Sequence, residues 1–569
     1  MMSRSRSVSG PQWSPSGARL AWIDTYDGRS DVVVAPADHG PPVVVTAECG
    51  AGAGFAWVDD DALVVAASDG RLVVVHAEGG IERVLTRDGR ALAPAVSARG
   101  EVACAIERDE TCDVATVPLD GSGWPERVSH ADYAWDPAWS PDGRALVWQE
   151  WDLPNMPWHA SRIMRRDAGA SPYVVAEDGA SSQARFSPDG ARLAWVRDGT
   201  LVVDGESLGG QHERECAEPA WSAGQHSFAW SPDGVELAWC RNESGFGRLA
   251  IGAPGRKSAR ELSRGWHRDL AWGAGGIVCV RSGAVTPPQV VVLAANGSGR
   301  RTIARGPVAG FERTGLVEPR PVTWKSGNAV VHGLLWRSAG ARGALPIVVH
   351  VHGGPTGQAL ADWNPRLQWL VQQGYGVLQP NHRGSSGYGA AYRNALDGRW
   401  GERDVADVAA GIKHAIKEDW AVPGRVALMG ASAGGFTALN VAAQHPDLVA
   451  AVIALYPVTD LLDLAATTHR FESGDVSRLV GRLPGARDSY IARSPITHAS
   501  DVRAPLLLLQ GDDDRVVNAE RTSAFADARR DAGGIIEYHV YAGEGHGWRR
   551  AETVADELAR IGTFLSRWC

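Results

Sequence analysis

Arg425-Val-Ala-Leu-Met-Gly-Ala-Ser432-Ala-Gly-Gly435 reads as a short apolar strand, a Gly-x-Ser-x-Gly turn and the first residues of a helix. The glycines let the backbone turn so sharply that the Ser432 side chain is pushed out above a sheet edge, within reach of a base and a substrate. The pattern by itself is weak, because Gly205-Glu-Ser207-Leu-Gly209 also matches it in a chain with 67 glycines. Context separates the two. Ser432 precedes Phe436-Thr-Ala-Leu-Asn-Val-Ala-Ala443, a good helix former, whereas a polar stretch ending at Pro219 follows Ser207. Ser207 is expected in a hairpin turn and Ser432 as a nucleophile.

A chain of 569 residues exceeds one hydrophobic core, so at least two domains are expected. A formal charge of −9 argues against a nucleic-acid partner, which would need a basic face. No apolar core follows Arg4 and Arg6, and runs such as Pro505-Leu-Leu-Leu-Leu509 are far too short to span a bilayer. Neither a signal peptide nor a membrane partner is therefore expected. Seven cysteines without CxxC spacing point to reduced thiols in a cytoplasmic protein. No metal or other cofactor is expected.

Working outward towards the amino terminus, the chain repeats itself. Trp13-Ser-Pro-Ser-Gly17, Trp139-Ser-Pro-Asp-Gly143, Phe186-Ser-Pro-Asp-Gly190 and Trp230-Ser-Pro-Asp-Gly234 each precede an alternating strand, and weaker copies begin at Trp57, Val96 and Trp272. Successive anchors are 44, 39, 43, 47, 44 and 42 residues apart, about the roughly 40–45 residues of a four-stranded propeller blade. About seven blades are expected over residues 1–315. Of 23 tryptophans, 15 lie at or before Trp272, which makes them blade packing rather than a ligand cage.

Over residues 316–569 apolar strands alternate with helical stretches such as Asp404–Lys417 and Ala519–Ala532, the pattern of a mostly parallel, doubly wound α/β-hydrolase sheet. A serine hydroxyl needs a histidine to take its proton, and the histidine needs an acid to fix its tautomer. Two loops at the carboxyl ends of later strands supply them: Gly511-Asp-Asp-Asp514-Arg515 and Gly543-Glu-Gly-His546-Gly-Trp548. The order Ser432, Asp514, His546 is that of α/β-hydrolases. Three adjacent aspartates are often only a solvated loop, and most other histidines are structural. The glycines flanking His546 set it apart. Oxyanion donors are expected from the backbone N–H groups of His352-Gly353-Gly354-Pro355 and from that of Ala433.

Together these pieces, with Asn381-His-Arg-Gly-Ser-Ser-Gly-Tyr-Gly389 and Trp400-Gly401 with Asp404, resemble the prolyl oligopeptidase family of serine peptidases. The resemblance spans nearly the whole chain. It implies that Asp514, three residues after the loop glycine, is the acid rather than Asp512 or Asp513. It puts His352 at the substrate-side position that is tyrosine in other branches, nearer the acylaminoacyl-peptidase and dipeptidyl aminopeptidase-like branch, with Gly354 as oxyanion donor. It also implies that a propeller cap keeps folded proteins out. By analogy with the dipeptidyl branch, Glu150 in Trp148-Gln-Glu-Trp-Asp-Leu-Pro-Asn-Met-Pro-Trp158 is the candidate for holding a substrate amine, on a segment that breaks the blade rhythm like an insertion. The expected activity is hydrolysis of amide bonds near the amino terminus of short peptides or peptide-like small molecules. A peptidyl natural product or ester is the alternative substrate, and a catalytically spent propeller binding module is the rival class. The oligomeric state is open, a homo-oligomer included.

Overall fold

The computed structural model describes residues 6–38, 40–46, 49–50, 54–109, 111–208, 215–256, 258–306 and 315–569. The chain divides into two compact units, Ser5–Pro307 and Val308–Cys569, the latter together with Met1–Arg4. The boundary expected after residue 315 adjoins residues 307–314, which lie outside the described residues.

In the first unit every anchor of the repeat falls at or near the end of a repeat's first strand, as in Arg6–Trp13, Tyr133–Trp139 and Ser181–Phe186. The Ser-Pro-Asp-Gly turn that follows is held locally. Ser140 Oγ donates to Asp142 Oδ1 at 2.6 Å, that oxygen accepts from the Arg144 N–H at 3.0 Å, and the Gly143 N–H returns to the Ser140 carbonyl at 2.8 Å. Proline, aspartate and glycine thus reverse the chain into a strand that is buried on both faces, not on the one face its alternation suggests.

The expectation of seven separate blades needs correction. Five four-stranded sheets stand alone, and the third and fourth repeats join into one eight-stranded sheet. The outer strand of the third repeat, Glu126–Arg127, covers only Ala115 and Thr116 of its neighbour. Cys112 is left to pair in parallel with Tyr133 of the next repeat. The first and last repeats meet without exchanging a strand. Val8, Trp22 and Val33 pack with Val280, Val290 and Val292, Trp13 Nε1 donates to the Gly276 carbonyl at 3.0 Å, and the Gly10 N–H to Asp269 Oδ2 at 2.8 Å.

The second unit is built on one eight-stranded sheet ordered Arg320–Ser326, Ala329–Trp336, Gly376–Asn381, Leu345–Val351, Ala421–Ala431, Ala451–Leu455, Leu506–Gly511, Ile536–Tyr541. The first pairings are antiparallel and the rest parallel. The central strands are apolar throughout because helices cover both faces. Val349, Leu428, Val452 and Leu506 share a core with Val408 and Ile412 of Arg403–Lys417 and Leu439 of Ala433–Gln444. Parallel strands put their carboxyl ends on one edge, and there the candidate residues gather. Among the described residues no helix is long and apolar enough to cross a membrane.

Candidate active site

Ser432 sits between Ala421–Ala431 and Ala433–Gln444 with φ 53° and ψ −123°, left-handed backbone that a non-glycine residue seldom adopts. Such strain persists where the surroundings enforce it. The Ser432 N–H bonds the Leu455 carbonyl of the neighbouring strand at 3.0 Å, and its carbonyl accepts from Phe436 in the first helical turn. A Cβ on Gly434 would lie 2.3 Å from the Val351 carbonyl oxygen, so only glycine lets this helix approach the strand that ends in the HGGP loop. Ser207, by contrast, is in the short strand Glu206–Ser207 after a two-residue turn in which Asp204 and Gly205 both have positive φ. Gly209 lies outside the described residues.

Of the three aspartates, only Asp514 reaches the histidine. Its Oδ1 accepts from the N–H groups of Val516 and Val517, both at 2.9 Å. Its Oδ2 accepts from His546 Nδ1 at 2.8 Å and from Gln510 Nε2 at 3.2 Å. The Asp514 side chain is fully buried while that of His546 is 23% exposed. Asp512 is exposed and accepts from the Gly543 N–H at 2.6 Å, which ties the two loops together. Asp513 is also exposed and faces Arg515. The histidine loop is held from behind by Glu544, which accepts from the N–H groups of Arg549 and Arg550. A Cβ on Gly511 would meet the Glu544 carbonyl oxygen at 2.3 Å, a measure of how closely the loops run.

The HGGP loop lies beside Ser432: a Cβ on Gly353 would be 3.8 Å from Ser432 Cβ. Gly354 has φ 120° and is exposed, and Ala433 opens its helix, where first-turn N–H groups have no intrahelical acceptor. His352, expected on the substrate side, has both ring nitrogens engaged. Nδ1 donates to the Gly353 carbonyl at 2.9 Å, Nε2 accepts from Ser385 Oγ at 2.8 Å, and the ring stacks on His382 at 4.7 Å. Burial lowers its pKa to about 3, so it is a neutral buttress of the loop. Behind it, Asp404 accepts from the Gly401 N–H at 2.7 Å and from Thr437 Oγ1 at 2.6 Å, and Arg383 forks onto the buried Asp407. These contacts are why Trp400-Gly-x-x-Asp404 and Asn381-His-Arg383 occur where they do.

Glu150 is not on an insertion. The strand Ala145–Trp151 continues through it, paired with Ala134 on one side and Arg162 on the other. Like every residue of that strand it is buried, 3% exposed, with Oε2 accepting from Trp148 Nε1 at 2.9 Å and Oε1 ion-paired to Arg162 at 2.8 Å. The aromatic and proline-rich run that seemed to break the rhythm packs the blade instead, and the Glu150 charge is already matched.

Tyr456 escaped the sequence reading. It follows Ala451–Leu455 with φ 36°, and its ring meets His546 edge-on at 4.7 Å and Trp548 at 5.1 Å. The signal was available: its strand, like those preceding Ser432 and Asp514, delivers its next residue to the same sheet edge. Among the described residues no group of three or more histidine, cysteine or carboxylate side chains is arranged to hold a metal ion.

Sheet order and loop placement make this unit an α/β-hydrolase. The comparisons go one step further. Residues 361–569 match the prolyl oligopeptidase family. The chain is 30% identical over 213 residues to dipeptidyl aminopeptidase BIII of Pseudoxanthomonas mexicana, 37% of this chain and 31% of that protein. It is 30% identical over 232 residues to the acylamino-acid-releasing enzyme of Arabidopsis thaliana, 39% of this chain and 30% of that one. These matches span about a third of the curated relatives' length. Across 100% of this chain and 95% of the other, the structure resembles that of a puromycin hydrolase, with a TM-score of 0.90 and 29% identity. The second unit is thus similar, over residues 361–569, to the prolyl oligopeptidase family.

Proposed function

We propose that this protein hydrolyses amide bonds near the amino terminus of short peptides through an acyl-enzyme. The observation that carries the reading is the 2.8 Å pairing of Asp514 with His546, on the same sheet edge as a serine held at φ 53°. Asp514 keeps the proton of His546 on Nδ1, which leaves Nε2 basic towards the Ser432 hydroxyl. Ser432 Oγ attacks the scissile carbonyl as its proton passes to Nε2. The N–H groups of Gly354 and Ala433 receive the oxyanion, and the leaving amine departs with the proton from Nε2. Water then attacks the ester as its proton passes to Nε2, and the acid departs as that proton moves from Nε2 to Ser432 Oγ. Removing one such oxyanion donor costs about 10²–10³ in rate.

Glu150 holds Arg162, so the reading assigns it no amine-binding role. The seven cysteines are buried and unpaired, which supports work in a reducing compartment, the cytoplasm. A second reading, an aminoacyl amide within a peptidyl antibiotic as substrate, is favoured by the full-length likeness to a puromycin hydrolase. A panel of aminoacyl-, dipeptidyl- and acylaminoacyl-p-nitroanilides together with puromycin tests both. Free-amine aminoacyl or dipeptidyl substrates should be cleaved, with the activity abolished by a fluorophosphonate that labels Ser432. A label on another residue, or no hydrolysis of any member, would refute the proposal.

A further inference from the structure

A cavity of about 420 Å³ lies at the centre of the ring of repeats in the first unit, and every repeat contributes to its wall, from Gly10 in the first to Asp269 in the last. Its wall mixes polar and apolar surface, the apolar part including Ile23, Phe55, Trp139 and Leu270. Its size is that of a small-ligand pocket.

The wall is not uniform. Each repeat has a residue of positive φ in or just before its first strand, and in three repeats that residue is glycine: Gly10, Gly54 and Gly224. Two repeats place aspartate there instead, Asp136 at φ 54° and Asp269 at φ 53°. Ala93 and Gln183 hold the same place in the third and fifth repeats, at φ 46° and φ 58°, so the two aspartates are the only carboxylates among these seven positions. Both carboxylates line the cavity.

Their partners differ. Asp136 Oδ1 accepts from the Gly224 N–H at 2.5 Å, and Arg185 faces the carboxylate as its counter-charge. Asp269 Oδ2 accepts from the Gly10 N–H at 2.8 Å, and among the described residues Asp269 has no ion pair. The adjacent Arg268, outside the wall, is paired with Glu218 at 2.8 Å, and the opposing charges of that pair both bear on Asp269. His226 brings no positive charge: it accepts from Arg185 Nη2 at 3.3 Å, and burial takes its pKa down to about 3. The wall therefore holds two carboxylates against one guanidinium, and burial pushes both carboxyl pKa values up, as expected where negative charge lacks compensation.

We propose that this cavity binds a small primary ammonium ion with an apolar body, the chemistry of an amino-acid amide or of the free amino terminus of a short peptide. The ammonium hydrogen-bonds Asp269 and supplies the missing positive charge, while the aliphatic or aromatic part rests on Phe55, Trp139 and Leu270. A charge-assisted bond of this kind separates charged from neutral probes by about tenfold or more.

The test is calorimetric titration of the full-length Ser432→Ala protein, which does not turn the probe over, with L-leucinamide and with N-acetyl-L-leucinamide near neutral pH. Saturable one-to-one binding of L-leucinamide is expected, with the acetylated probe at least about tenfold weaker. Asp269→Asn keeps an oxygen for the Gly10 N–H and removes only the charge, so it should weaken L-leucinamide by a similar factor while the melting temperature holds. Equal affinity in Asp269→Asn and its parent, or no saturable binding, overturns the proposal. Should Asp269→Asn fold poorly, a diazirine-bearing leucinamide cross-linked to the unaltered Ser432→Ala protein decides instead. Adducts on residues of the cavity wall support the site, and adducts only elsewhere refute it.

Discussion

Asp514→Asn is the substitution whose outcome the geometry determines most closely. Two backbone N–H groups, from Val516 and Val517, converge at 2.9 Å on Asp514 Oδ1 and require an acceptor there. An asparagine must therefore turn its carbonyl oxygen towards them, and its NH₂ group falls where Oδ2 stood, 2.8 Å from His546 Nδ1. Two N–H groups cannot face each other at that distance. His546 consequently moves its proton to Nε2 and can no longer take one from Ser432. The wrong tautomer in a serine triad lowers kcat by on the order of 10⁴, or about 5 kcal/mol of barrier, with little change in KM. The assay is turnover of an aminoacyl-p-nitroanilide by Asp512→Asn, Asp513→Asn and Asp514→Asn in parallel, with melting temperatures to show that all are folded. Asp512 and Asp513 are exposed, and asparagine at 512 still offers the Gly543 N–H an acceptor, so those two should stay within about twofold of the parent. If Asp514→Asn kept a tenth of the parent kcat, or if Asp512→Asn lost more than Asp514→Asn, the assigned acid would be wrong.

Further outcomes follow from the same contacts. Ser432→Ala should lower kcat by on the order of 10⁴–10⁶ and abolish fluorophosphonate labelling without moving the melting temperature, whereas Ser207→Ala should alter neither. Gly434→Ala forces a methyl to within 2.3 Å of the Val351 carbonyl oxygen; it should cost about 1–3 kcal/mol of stability and displace the HGGP loop, seen as a fall in both urea midpoint and kcat. Glu150→Gln removes the charge that holds Arg162 and should destabilise the first unit by about 1–2 kcal/mol while changing kcat/KM for free-amine and N-acylated substrates alike; a loss confined to free-amine substrates would restore it as an amine anchor. His226, His267, His350 and His352 are held neutral by burial, their pKa values lowered from 6.5 to about 3. Between those limits the unfolded chain binds protons that the folded chain refuses, so stability should fall as pH drops from about 6.5, by up to about 1.4 kcal/mol per pH unit for each histidine. A urea midpoint unchanged between pH 7 and pH 5, or one whose slope His350→Gln fails to reduce, would contradict that assignment.

The sequence by itself determined what depends on local chemistry. A Pro-Asp-Gly reversal before an alternating strand needs only neighbouring residues, so the period of the repeats, from Trp13 to Trp272, and the strand after each such turn were visible. The turn around Ser432 was visible for the same reason: its glycines, apolar strand and helix are contiguous. The aspartate loop 512–514 and His546 stood out because each follows a strand's end. What tertiary structure alone decided was how separate segments share space. The sequence cannot show that two residues of an outer strand, Glu126–Arg127, leave an edge for Tyr133, which is why two repeats became one sheet. Nor can it show that Glu150 meets Arg162 across a strand pair, or that Ser385 takes the Nε2 of His352, since these are long-range pairings with no local signature. The choice among three adjacent aspartates was of the same kind. Asp512, Asp513 and Asp514 have the same chemistry, and only the backbone amides of Val516 and Val517, folded back onto one of them, turn that carboxylate towards His546.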